Sequence, residues 1–465
     1  MNPMSNELVI AAHDFLATAV SRRALWAFRH LKAQTRSDGA IYSQALSFRK
    51  QAWDWDESRR KDWMLVRLRE VVRCAALTTP FYRERFASIG FDPSADFGFS
   101  EFAALPVLER SEVQEAGDSI LSSDVPRAER QWNATGGSSG RPVEIQMGPR
   151  ERAWRSSGAD FSMRRLGVEP GVRRALLWGH HLDPVARDSF KDRLLDALGN
   201  RAWFDCLRLS PSKLLDYDDA MRRYRPRCLV AYASALAFLA ETIESARRAP
   251  APYPTRRIVT GAEKLLKEQR EIVERVFQVP VHERYGSRDV GDVGFQYEPW
   301  NNLHYRIDWA LVFVEPATDG PESDILVTKL QADAMPMIRY RTDDVGIFAP
   351  GAKPGEPQWV LHEVLGRRAD RVFRPDGGWV NGLHFPHLFK DFRLRDFKVH
   401  QREDYSLDVR VVLPADAPAD ALAVIQANLR ENLPGVSVEV SAVEEIERTK
   451  ANKWRPVVSD VRVSS

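Results

Sequence analysis

Thr135-Gly-Gly-Ser-Ser-Gly-Arg-Pro142, followed at once by Val143-Glu-Ile-Gln-Met147, is the stretch on which the reading of this chain turns. Gly136, Gly137 and Gly140 carry no Cβ, so successive backbone N–H groups can curl around an anion. Ser138 and Ser139 add hydroxyl donors suited to phosphate oxygens, and Thr135 opens the run. The residues that follow alternate apolar and polar, as a half-buried strand does. No Gly-Lys-Ser/Thr and no helical pattern come next, so this is not a Walker loop. Taken alone, the run fits a phosphate cradle or a flexible hairpin tip.

Working outward, strands and helices interleave. Ala175-Leu-Leu-Trp178 reads as a buried strand, with a helix around residues 190–198. Cys228-Leu-Val-Ala-Tyr232 is a second strand, and residues 235–246 an apolar-faced helix. Ile258-Val-Thr260 is a strand that turns at Gly261, and residues 266–277 form a helix with Ile272, Val273 and Val276 on one face. This alternation argues for an α/β layered domain. Towards the N-terminus the texture is helical up to about Phe86. Trp63, Leu65, Val66, Leu68, Val71 and Val72 recur at helical spacing, Pro80 ends that pattern, and Tyr82 begins another short helix. Past Gly366 the character changes. Leu407, Val409 and Val411 alternate as a strand, Leu422, Ile425, Leu429 and Leu433 follow a helical period, and Val436, Val438 and Val440 alternate again. That unit reads as a small α+β domain. The expected division is a large domain over residues 1–365 and a small one over residues 366–465, with the boundary near residues 366–370.

Composition narrows the function. The 465 residues exceed one ordinary core, and 44% hydrophobic with 28% charged residues is a globular balance. Sixty-seven basic against 65 acidic side chains leave a net charge of +2, which gives no reason to expect a nucleic-acid or anionic-membrane partner. Cys74, Cys206 and Cys228 lie far apart, with no CxxC pair or zinc spacing, so buried thiols in a reducing compartment are expected. The apolar stretch over residues 8–20 is interrupted by His13 and Asp14 and lacks a leader pattern. The expected compartment is the cytoplasm.

Three further loops carry chemistry. Tyr285-Gly-Ser-Arg-Asp-Val-Gly291 sets an aromatic, a close-approach glycine and an acid within a turn. Tyr340-Arg-Thr-Asp-Asp-Val-Gly346 sets a carboxylate beside a turn, where it can accept both hydroxyls of a ribose. Arg448-Thr-Lys-Ala-Asn-Lys-Trp-Arg455 is a basic loop on the small domain. Each alone also fits a surface turn or a solvated charge cluster.

In their order along the chain these stretches resemble the adenylate-forming superfamily, and within it the phenylacetate–coenzyme A ligase and CapK-like group. The phosphate loop is matched by Thr135 to Pro142, and the Tyr-Gly-x-x-Glu motif by Tyr285, Gly286 and Asp289. The Tyr-Arg-Thr-Gly-Asp motif is matched by Tyr340 to Asp344, and the Gly-Arg hinge by Gly366 and Arg367. The closing basic motif is matched by Arg448, Thr449, Lys453 and Arg455. The group's Pro-x-Tyr-Arg lead-in is matched at Thr79-Pro-Phe-Tyr-Arg83 and its Leu-Pro-x-Leu segment at Leu105-Pro-Val-Leu108.

The resemblance implies a large adenylate-forming domain of layered sheets and helices, with a small C-terminal α+β domain. It implies ATP on Thr135, Gly136, Gly137, Ser138, Ser139 and Gly140, with Tyr285, Gly286 and Ser287 on the nucleotide side and Gly261, Ala262 and Glu263 in the segment lining the adenine and acyl pocket. Asp344 would take the ribose with Arg367 in support, Asp289 the Mg2+ position, and Lys453 the carboxylate and α-phosphate. Trp178 and His180 fall where related enzymes build the acyl pocket. The implied activity is conversion of a small-molecule carboxylic acid to acyl-AMP, then acyl transfer, to coenzyme A or to an amine or hydroxyl. Several positions depart from the pattern. Asp289 replaces Glu, Asp343 replaces Gly, Ala369 stands at the hinge acid, Val143 replaces a lysine and Asn452 a glycine. Those changes keep open a second reading, a non-catalytic relative that binds nucleotide or acyl ligand.

Overall fold

The computed structural model describes residues 38–134, 143–178, 196, 199–206, 209–246, 255–298, 303–367, 371–375, 379–381, 385, 389, 392, 394–414, 417–446 and 456–461. The chain divides into two compact units. One comprises the described residues up to Thr342 with Gly346–Val364, and the other Asp343–Val345 with the described residues from Leu365 onward.

The first unit is organised by an eight-stranded sheet. Five strands run parallel, in the spatial order Arg201–Phe204, Arg174–Leu177, Cys228–Tyr232, Arg257–Gly261 and Val281–Ser287. Gly291–Phe295, Tyr305–Ile307 and Val360–Leu361 then continue it antiparallel. The parallel strands are apolar runs such as Cys-Leu-Val-Ala-Tyr, which require cover on both faces. Helices Pro211–Tyr224, Ala233–Ser245 and Lys267–Phe277 supply it. They bury Leu214, Met221, Leu236, Leu239 and Val273 against Leu177, Phe204, Leu229 and Ile258.

These elements follow the sequence expectation within one or two residues at most boundaries. The early helical run spans Glu57–Thr78, and Asp56 caps it by accepting from the N–H of Arg59. Thr79 is extended. It closes that helix and caps the next, Pro80–Ser88, with Pro80 in its first turn. The expected helix around residues 190–198 lies almost wholly outside the described residues. The cysteine expectation needs one correction: Cys206 and Cys228 are buried, but Cys74 is exposed on its helix. Among the described residues no helix is long and apolar enough to cross a membrane.

A second sheet, of four strands, has the order Val312–Pro316, Glu322–Lys329, Tyr340–Ile347, Glu363–Arg367. The turn expected within Tyr340–Gly346 is instead part of one strand, interrupted where Asp343 adopts φ +65°. The approach to this strand is tied down from far away in sequence. The buried Tyr82 hydroxyl donates to the Pro336 carbonyl and accepts from the Ile338 N–H at 3.0 Å. Leu108 forms a parallel bridge to Tyr340. The Arg339 guanidinium is buried. It grips Glu315 with two hydrogen bonds, at 2.9 and 3.1 Å, and donates to the carbonyls of Ala103 and Leu105. The lead-in motif and the Leu-Pro-x-Leu segment are thus clamps on this strand.

The second unit carries a four-stranded sheet, Val438–Ala442, Leu407–Val412, Asp396–Gln401, Val457–Ser459. Helix Ala421–Asn432 buries Ile425 and Leu429 in a core with Val399, Val409 and Val411. This is the strand–helix–strand unit read from the sequence.

Replacing Glu315 by Ala would leave the Arg339 guanidinium buried without its carboxylate, a change that costs about 3–5 kcal/mol. Urea denaturation of Glu315→Ala against the unaltered protein should show that loss in the transition of the first unit.

Candidate active site

In an open parallel sheet the strands' carboxyl ends gather loops and backbone N–H groups, and ligands bind there. Here strand register brings residues from four neighbouring strands into one row at that edge. Ala231 stands opposite both Leu177 and Thr260, and Thr260 opposite Glu283. The next residue on each strand is Trp178, Tyr232, Gly261 and Arg284. The Trp178 and Tyr232 rings pack at a 60° tilt with centroids 4.3 Å apart. The Arg284 guanidinium reaches to 5.6 Å from the Trp178 ring. Gly261 leaves room for it, because a Cβ there would sit 3.3 Å from the Arg284 Nε. Of these four only Trp178 and Gly261 were singled out in the sequence. Tyr232 was read as the end of a strand and Arg284 was missed, because only the register places them beside the others.

Just past this row, Ala262 has φ +67°. That is a left-handed conformation that strains any residue with a Cβ, by about 1–2 kcal/mol. Glu263 turns back onto helix Ala233–Ser245. Its carboxylate accepts from the Ser234 N–H at 3.1 Å and the Ser234 hydroxyl at 2.7 Å. A negative charge at a helix N-terminus is favourable, so this contact fixes where the strained segment goes.

Tyr285, Gly286 and Ser287 end their strand at a bulge between Tyr285 and Gly286. A Cβ on Gly286 would lie 2.8 Å from the Asp292 Cα and closer still to the Gly291 carbonyl oxygen, so only glycine fits. The Tyr285 hydroxyl lies 3.5 Å from the Thr342 hydroxyl. Ser287 accepts from the Val290 N–H through its hydroxyl, closing the turn that carries Asp289. Arg155 holds the same turn from below. Its guanidinium donates to the carbonyls of Arg288 and Asp289 at 3.0 and 2.8 Å. Glu151 pairs with Arg155 at 2.6 Å and with the buried Lys329 at 2.9 Å. Burial pushes the Lys329 ammonium below its usual pKa, and Glu151 opposes that shift.

Asp289 is buried. Its Oδ2 accepts from the Tyr340 hydroxyl at 2.9 Å and lies 3.6 Å from the Arg110 guanidinium. Magnesium favours one or two carboxylates together with phosphate oxygens and water. A lone Asp meets that habit in kind. Its Oδ2, however, is engaged by Tyr340 and faces a cation, so the expected metal position does not fit as it stands. Among the described residues, no group of three or more His, Cys, Asp or Glu side chains could hold a metal ion.

Asp344 and Arg367 face each other at 3.9 Å, both partly exposed. The Gly/Ser run joins two strands that pair as a hairpin, Gln131–Ala134 with Glu144–Met147, with Ala134 opposite Glu144. Arg288 donates to the side-chain oxygen of Asn133 at 3.4 Å, tying the base of this hairpin to the Asp289 turn. Thr135, Gly136, Gly137, Ser138, Ser139, Gly140, His180 and Lys453 lie outside the described residues. Arg110 and Arg155 were not foreseen. No local pattern marks a helical arginine as the partner of a turn more than a hundred residues away.

No protein-family model matches the chain. In sequence it is similar to the phenylacetate-coenzyme A ligase of Pseudomonas putida, 24% identical over 319 residues, which cover 66% of this chain and 70% of that one. The phenylacetate-coenzyme A ligase of Escherichia coli K12 is 22% identical over 296 residues, covering 61% and 66%. In structure the chain is similar to 2-hydroxyisobutyryl-CoA ligase in the postadenylation state with 2-HIB-AMP. The TM-score is 0.66 at 18% identity, over 87% of this chain and 90% of that one. The fold is therefore that of the adenylate-forming ligases.

Two substitutions test the backbone reading. Ala262→Gly should raise stability by about 1 kcal/mol, since glycine adopts the left-handed conformation freely. Gly286→Ala should lower it by about 3 kcal/mol, since the bulge has no room for a methyl group. Denaturant titration measures both.

Proposed function

We propose that this chain, similar in sequence to phenylacetate-coenzyme A ligases and folded as the adenylate-forming ligases are, activates a carboxylic acid as acyl-AMP and passes the acyl group to coenzyme A. The observation that carries this reading is the single sheet edge at which Trp178, the strained Gly261–Ala262–Glu263 segment and the Tyr285–Asp289 turn meet, with Tyr340 hydrogen-bonded into that turn.

In the first half-reaction a carboxylate oxygen of the acid bonds to the α-phosphorus of ATP. The bond from that phosphorus to the bridging oxygen breaks, and pyrophosphate leaves. In the second, the thiol sulfur attacks the acyl carbon, AMP leaves and the thiol gives up its proton. Both partners of the first step are anions, so positioning and fixed positive charge supply most of the rate. Lys453 is assigned that charge, on the carboxylate and α-phosphate. Asp344 is assigned the ribose hydroxyls, with Arg367 orienting it across 3.9 Å. The Gly/Ser run 135–140 is assigned the phosphates. Magnesium bound to ATP would neutralise phosphate charge. In this reading residues 366–465 form a mobile domain that carries Lys453, and the enzyme works in the cytoplasm.

A second reading, a relative that binds nucleotide without turning it over, is favoured by one observation. Asp289 is already held by Tyr340 and Arg110.

Exchange of labelled pyrophosphate into ATP, run across a panel of carboxylic acids, separates the two. Exchange with at least one acid, reduced about 100- to 1,000-fold in Lys453→Ala, is expected of the enzyme. Asp344→Asn should raise the KM for ATP about tenfold, as expected on losing a charged hydrogen-bond acceptor. Calorimetric ATP binding with no exchange for any acid would establish the second reading instead.

A further inference from the structure

The row at the sheet edge holds one charge that the adenylation chemistry above does not use. Arg284 is neither at the surface nor fully enclosed, with 28% of its side chain exposed. Asp292, on the neighbouring antiparallel strand, is its one charged partner among the described residues. The approach is only 3.5 Å, and the Asp292 side chain is itself 23% exposed. Two other guanidiniums of this unit are committed to multiple hydrogen bonds. Arg339 grips Glu315 twice, and Arg155 takes two carbonyls and a carboxylate. Arg284 instead stands between a loose acid and an aromatic ring. Its neighbour across the edge, Trp178, is partly exposed and backed by the buried Tyr232, and Gly261, lacking a Cβ, lets the guanidinium lie against the strand beside it.

A planar guanidinium presents a fork of donors matched to a carboxylate or phosphate, and beside an aromatic wall its charge is poorly hydrated. An occupant that completes this arrangement has a flat apolar body to lie against the exposed part of Trp178, and an anionic group to meet Arg284. We infer that Arg284 is a specificity-determining residue, and that the acid this protein activates carries a second anionic group on a flat apolar body. This deepens the adenylating-ligase reading and rests on it. Asp292 tunes the selection, because its carboxylate offsets part of the Arg284 charge and repels an incoming anion.

The test compares phenylacetate with 4-carboxyphenylacetate, which share a body and differ in the distal charge. Pyrophosphate exchange by the unaltered enzyme should favour the dicarboxylate by at least tenfold in kcat/KM. Arg284→Ala should bring the two acids within about twofold of each other, and Arg284→Lys should retain part of the preference. Asp292→Asn should enlarge it, an effect that damage to the fold would not produce. Equal loss on both acids in Arg284→Ala, or a raised KM for ATP with the acid ratio unchanged, would overturn the inference. Should neither acid support exchange, calorimetric titration of each into the unaltered protein and Arg284→Ala decides the matter separately from catalysis. Tighter binding of the dicarboxylate that is lost in the variant sustains the assignment. Equal binding of the two acids, or binding of neither, refutes it.

Discussion

The hydrogen bond from the Tyr340 hydroxyl to the Asp289 carboxylate joins the large sheet to the four-stranded one at the candidate site. Asp289 follows the last parallel-running strand of the large sheet, and Tyr340 begins its strand in the four-stranded sheet. Both side chains are buried, so the bond forms where water cannot replace it and its loss would leave polar atoms unmatched. Around this tie stand the Tyr285 and Thr342 hydroxyls at 3.5 Å and Arg110 at 3.6 Å. The edge can serve as one site because this tie, with the backbone bonds from Gln358 to Val314 and from His362 to Ile347, fixes where the two sheets lie with respect to each other.

Much of the rest of the first unit exists to hold those two strands still. Arg155, Glu151 and Lys329 form a charged chain under the Asp289 turn, with Glu151 and Lys329 buried. Removing ions from water is costly, and such a chain holds only when each member is matched. On the other side, Arg339 and Glu315 lock the residue before Tyr340 to the Ala103 and Leu105 carbonyls. These arrangements carry no chemistry. They convert buried charge into position, which a site that aligns two anions needs more than it needs additional stability.

What the sequence disclosed and what it withheld divide along a physical line. Elements were legible because burial imposes a period. Cys228–Tyr232 and the Leu407, Val409, Val411 alternation are patterns that one face of a sheet demands. Site loops were legible where glycine and acid types are chemically restricted, as at Gly286, whose missing side chain makes room for the opposite strand. Asp343 shows the same restriction from the other direction. It stands where glycine was expected, and its φ of +65° explains the expectation. Arg284, Tyr232, Arg110 and Arg155 were not legible. Their roles depend on register and on helix packing, and neither leaves a local trace. The exposure of Cys74 and the partners already occupying Asp289 were hidden for the same reason.

The Tyr82 hydroxyl meets the Ile338 N–H across a separation of 256 residues. During synthesis the N-terminal helices therefore emerge long before the backbone group they are shaped to receive. Closing so long a loop adds little entropy per extra residue, but it sets an order of events. The parallel strands can pair while the chain is still growing. The edge that unites Asp289 with Tyr340 can be completed only after residue 340 has left the ribosome, so competence to bind a ligand there arrives late in the life of the nascent chain.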